Sequence, residues 1–82
     1  MLSETLGRNG QMNFIDEKEA SKRIKALRTL KGFTQEEMAD KLNVSRKVYS
    51  KYENKPYSVP IDKLKPLANL LGCKMGDFFV AA

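Results

Sequence analysis

Two helix starts lie eleven residues apart, and almost nothing separates the helices they begin. Thr34-Gln35-Glu36-Glu37 has the form of a capping box, with Thr34 as the cap and Glu37, three residues on, reaching back. Met38, Ala39 and Leu42 then give a short apolar stripe at helical spacing. Ser45 is a second cap, opening a helix from Arg46 to about Asn54. Only Asn43-Val44 remains between them, and Asn tolerates positive φ. A linker of two residues does not let two helices lie side by side antiparallel. It forces a steep crossing, which needs a small residue at the contact, and Ala39 occupies that position. Val44 is expected to fill the inside of the corner, with Leu42, Tyr49 and Tyr52 beneath it.

The flanking segments supply more helices. Asp16 is a plausible N-cap with Glu17 and Glu19 in the first turn. Ala20, Ile24, Leu27 and the stem of Lys31 follow on one face, and Gly32 can close the helix in the left-handed conformation. The third helix is expected to bury Val48, Tyr49 and Tyr52. Lys55 to Val59 is expected to be a loop, because Pro56 and Pro60 disfavour helix before them. A fourth helix follows Pro60, with Leu64, Leu67, Ala68 and Leu71 on one side and Gly72 at its end. Pro66 predicts either a start delayed to Asp62 or Lys63 or a kink. Gly76 to Val80 is expected to form a fifth helical turn. Phe78, Phe79 and Val80 either complete the core or form a dimer seam. Cys73, Met38 and Met75 are expected as core fillers. Met1 to Asn13 lacks apolar periodicity, and a flexible N-terminal tail is expected over 1–13, ahead of one all-α domain over 14–82.

Composition narrows the chemistry. The 82 residues contain one cysteine and no histidine. That leaves no internal disulfide, no Cys-His or Ser-His-Asp arrangement, and no ordinary zinc ligand set. No catalytic set converges, no cofactor is expected and no enzyme is expected. No apolar run approaches the ~20 residues of a membrane span. Met1 to Gln11 lacks the basic start and apolar stretch of a secretion signal, so a cytoplasmic protein is expected. The net charge is +5, which favours a polyanionic partner. The charge is also segregated. Glu17 to Lys31 carries six cations against two carboxylates, and Ser45 to Tyr57 carries four cations against Glu53. Thr34 to Asn43 between them has Lys41 against three carboxylates.

Held proud by such a corner, the third helix has the dimensions to enter the major groove of duplex DNA. Arg46, Lys47, Ser50 and Lys51 fall on an outward arc, and Arg and Lys side chains donate to guanine O6 and N7. Gln35, at the start of the second helix, is suited to a phosphate. Lys22, Arg23 and Lys25 are expected as ordinary solvated surface.

These residues resemble the Cro/CI-type, or XRE-type, helix-turn-helix DNA-binding transcriptional regulators. The matching residues are Ile24-x-x-Leu27-Arg28, Gly32-Phe33-Thr34-Gln35-x-x-Met38-Ala39-x-x-Leu42, Val44-Ser45-x-x-x-Tyr49-Ser50-x-x-Glu53-Asn54 and Leu64-x-x-Leu67-Ala68-x-x-Leu71-Gly72 with Phe78. The likeness extends over nearly all of Ala20 to Val80. It implies a five-helix, lambda-repressor-like domain whose helices 2 and 3 form the helix-turn-helix. It implies that Arg46, Lys47 and Lys51 face bases with Ser50 at the margin, and that Gln35, Ser45, Lys55 and Tyr57 meet the DNA backbone. It also implies an internal ion pair between Arg28 and Glu53. Three positions depart from the family pattern. Asn43 stands for the usual glycine of the turn, Tyr49 for a branched aliphatic residue, and Asn54-Lys55-Pro56 for the common Asn-Gly or Gly-Lys loop.

The function so implied is sequence-specific binding of a double-stranded operator by a homodimer, with repression of prophage, plasmid or similar bacterial genes. An antitoxin or a restriction-modification controller of the same fold shares these features. A protein-interaction module that has lost DNA binding would show acidic or apolar residues on the outer third helix, where Arg46, Lys47 and Lys51 stand. An RNA reader would expose aromatic residues for base stacking, whereas the aromatics here fall mainly on expected core positions.

Overall fold

The computed structural model describes residues 15–74. Within them lie four α-helices: α1 (Glu17–Lys31), α2 (Gln35–Leu42), α3 (Arg46–Asn54) and α4 (Ile61–Leu71). A single 3-10 turn, Pro56–Ser58, links α3 to α4. The expected tail over 1–13 and the expected fifth turn over Gly76–Val80, with Phe78 and Phe79, fall outside the described residues.

Side-chain caps start the first three helices. Asp16 Oδ1 accepts from the Glu19 N–H at 2.8 Å. Thr34 Oγ1 accepts from the Glu37 N–H at 3.0 Å while Glu37 Oε1 accepts from the Thr34 N–H at 2.8 Å, completing the capping box. Ser45 Oγ accepts from the Val48 N–H at 3.1 Å. Such a cap contributes about 1 kcal/mol.

One closure ends α1, α2 and α4. Gly32, Asn43 and Gly72 adopt φ of 80°, 59° and 74°. After each, the next N–H reaches back into the helix: Phe33 to the Arg28 carbonyl, Val44 to that of Ala39, Cys73 to that of Ala68. This is the Schellman arrangement, which usually carries an apolar residue just past the left-handed one. Phe33, Val44 and Cys73 hold those places, and all three pack on the core.

The core comprises Ile24 of α1, Met38, Ala39 and Leu42 of α2, Tyr49 and Tyr52 of α3, Val59, and Leu67, Ala68 and Leu71 of α4. The most extensive helix contact is α2 on α3, where Ala39 is almost wholly buried. A side chain of one carbon lets the two backbones approach.

Three expectations change. Val48 is 39% exposed rather than buried. Successive helical residues turn by 100°, and the inner arc of α3 is taken by Tyr49, Tyr52 and Glu53, which leaves Val48 on its edge. Second, α4 begins at Ile61 and runs through Pro66 without the delayed start. The carbonyl that loses its partner belongs to Asp62, four residues back in the exposed first turn. Third, the 55–59 loop is partly ordered as the 3-10 turn, with Pro56 buried and Ser58 Oγ donating to the Lys55 carbonyl at 2.6 Å. No helix among the described residues is long and apolar enough to cross a membrane.

Candidate nucleic-acid interface

The third helix is held from below by a buried carboxylate. Glu53 is 0% exposed, and an isolated buried charge is strongly unfavourable. Arg28 Nε donates to Glu53 Oε2 at 2.6 Å, and Arg28 Nη2 donates to Oε1 at 3.2 Å. Gln35 Nε2 donates to Oε1 at 2.9 Å, and the Tyr49 hydroxyl donates to Oε2 at 2.8 Å. Arg28 Nη1 also donates to the Phe33 carbonyl at 2.9 Å. Three helices therefore meet at the carboxylate, α1, α2 and α3, and Arg28 ties the α1–α2 turn to them.

The electrostatics follow. Burial pushes the Glu53 carboxyl up, but hydrogen bonds from Arg28, Gln35 and Tyr49 and the Arg28 charge outweigh it, and the net shift is downward. The Glu53 hydrogen bond raises Arg28 further, against its partial burial. Tyr49 is pushed well up, first by burial and then by the adjacent carboxylate. The phenol thus stays protonated as a donor, and the ion pair stays charged at neutral pH.

Above this anchor, Lys47 and Lys51 point outward and are exposed, as is Arg46; Ser50 is half-buried. Arg46 also lines an open cleft of about 590 Å³ between α3 and the start of α2, with Arg28, Phe33, Gln35 and Glu36 on its walls. Ser45 accepts from Val48, which leaves its own O–H bond as a donor. The capping box covers Thr34 and Glu37, while the N–H groups of Gln35 and Glu36 have no intrahelical acceptor. This end of α2 and its neighbouring cations form a surface suited to an anion.

Gln35 is only half-buried, and its amide is already bonded to Glu53 through one N–H. The second N–H of that amide faces no such constraint. Lys55 is exposed at the end of α3. Tyr57 is 46% exposed but tied to the start of α1. Its N–H donates to Glu17 Oε2 at 3.2 Å and its hydroxyl donates to the Ile15 carbonyl. A phosphate contact from that hydroxyl requires the bond to Ile15 to be exchanged.

Sequence reasoning overlooked three structural partners, the first being Gln35, whose amide donates to Glu53. Tyr49 supplies a hydroxyl to Glu53, and its departure from the usual aliphatic was the one available signal. Lys63 Nζ donates to the Leu42 carbonyl at 2.9 Å, pinning the end of α2 to α4. Lysine at a helix C-terminus is favourable in general, but no spacing linked these two residues.

Residues 24–78 match the family model described as helix-turn-helix. Among curated proteins, 50 residues are 42% identical to the SPbeta prophage-derived uncharacterized HTH-type transcriptional regulator YonR of Bacillus subtilis (strain 168). That alignment covers 61% of this chain and 46% of the relative, so the chain spans less than half the length of the protein it resembles.

Proposed function

Because this chain belongs to the Cro/CI-type, or XRE-type, helix-turn-helix family, we propose that it binds duplex DNA in a sequence-dependent manner and represses transcription. The observation that carries the reading is the exposed trio Arg46, Lys47 and Lys51 on a helix anchored from behind by Glu53. In this reading α3 lies in the major groove. Arg46, Lys47 and Lys51 donate to base edges, with Ser50 at the margin. Gln35, Ser45, Lys55 and Tyr57 meet the backbone.

The protein acts as a homodimer on a two-fold symmetric operator, with half-sites about one helical turn, ~34 Å, apart. Repression follows from occluding polymerase, in the bacterial cytoplasm. The prophage origin of the named relative supports a mobile-element regulator. The test is selection from a pool of random duplexes. Enrichment of a symmetric sequence is the expected result. No enrichment by a normally folded protein overturns the reading.

A further inference from the structure

The outer surface of α3 carries one apolar side chain among its cations. Val48 is 39% exposed, whereas the other apolar residues of the helix, Tyr49 and Tyr52, are buried. Val48 stands in the first turn, its N–H held by the Ser45 cap. Exposed lysines adjoin it at Lys47, the preceding residue, and Lys51, three residues on. A lone exposed valine on an arbitrary surface has no meaning; its position gives this one meaning. The first turn of a helix docked in the major groove is the part closest to the base edges. Those edges present donors and acceptors with one apolar exception, the C5-methyl group of thymine. Valine has no polar group to offer. Against any other edge it desolvates a donor or acceptor without pairing it.

We propose that Val48 is a specificity-determining contact that recognises the C5-methyl group of a thymine in each half-site. The proposal rests on the DNA-binding reading above. Lys47 and Lys51 beside it donate to base edges, and Val48 adds to their selection by removing two apolar groups from water together.

The test uses duplexes selected from a random pool by the wild-type protein. Each thymine of the half-site is replaced in turn by deoxyuridine, which differs only by the missing methyl group, and Kd is measured at one fixed salt concentration. At one position the replacement is expected to weaken wild-type binding about fourfold, the ratio for one buried methyl-sized group. Val48→Ala is expected to bind the thymine duplex more weakly by a similar factor and to bind thymine and deoxyuridine equally at that position. Its circular dichroism and melting temperature should match the wild type. A methyl effect that persists undiminished in Val48→Ala overturns the assignment. An enriched sequence with no methyl-sensitive thymine also overturns it, while leaving the DNA-binding reading intact. A pool that enriches nothing overturns both.

Discussion

Glu53 and Val48 have exchanged the places that their polarity suggests. A carboxylate lies wholly inside and a valine lies at the surface of the same helix. The inside position is tolerable because Arg28, Gln35 and Tyr49 together satisfy both carboxylate oxygens. Removing one partner leaves a buried charge. Arg28→Ala is expected to destabilise the fold by about 3–5 kcal/mol, measured by urea unfolding at pH 7. The carboxyl of Glu53 is held below its ordinary value of 4.5. Its contribution is therefore fully present above about pH 4.5 and lost as pH falls through the lower folded value. The melting temperature should accordingly fall steeply with acid below that range, and Glu53→Gln should flatten this fall. An unchanged acid profile in Glu53→Gln would place the acid sensitivity elsewhere. Arg46 is different, because it is exposed. Arg46→Ala is expected to weaken binding to the selected operator by ~1–3 kcal/mol while leaving stability unchanged. An equal loss on unrelated duplexes would assign Arg46 to the phosphate backbone.

Between the helices, the corner depends on two small features. Asn43 has φ of 59°, a region that costs most L-residues about 1–2 kcal/mol and that Asn visits more readily. Asn43→Ala should lose about 1 kcal/mol, and Asn43→Gly should retain wild-type stability or exceed it, both measured by denaturant midpoint. If alanine is neutral there, the corner is not limited by backbone conformation. Ala39 sets the approach of α2 to α3. Ala39→Leu forces an overpacked crossing and is expected to cost ~1–3 kcal/mol. Since α3 hangs from this contact, the same variant should also weaken DNA binding beyond the loss explained by unfolding. Lys63, donating to the Leu42 carbonyl, ties the C-terminal end of α2 to α4, and Gln35, donating to Glu53, ties its N-terminal end to α3.

At the scale of the whole molecule, the +5 net charge favours a polyanion, and the number of phosphates its cations neutralise sets how binding depends on ions. Affinity for duplex DNA should fall linearly in log Kd against log salt, with a slope near 0.9 per phosphate neutralised. Lys55→Ala should reduce that slope by about one per bound protomer and weaken all sequences alike. A slope unchanged in Lys55→Ala would remove Lys55 from the backbone interface.

The parts of this architecture visible before folding are those decided within a few residues. Caps at Asp16, Thr34 and Ser45 and left-handed stops at Gly32, Asn43 and Gly72 are local backbone hydrogen-bonding problems, and the residue types that solve them stand in the chain. The close approach of α2 to α3 follows from a two-residue linker and a small Ala39, and the Arg28–Glu53 pairing was legible through family likeness. What tertiary structure alone decided is orientation at the edges of arcs and company at a distance. Periodicity cannot say whether Val48, 100° from Tyr49, falls inside or outside, because that depends on where α2 lies. Nor can it say that Gln35 and Tyr49 converge on Glu53, or that Lys63 reaches Leu42. A side chain's partners across helices are fixed by packing geometry, and that geometry exists only once every helix is in place.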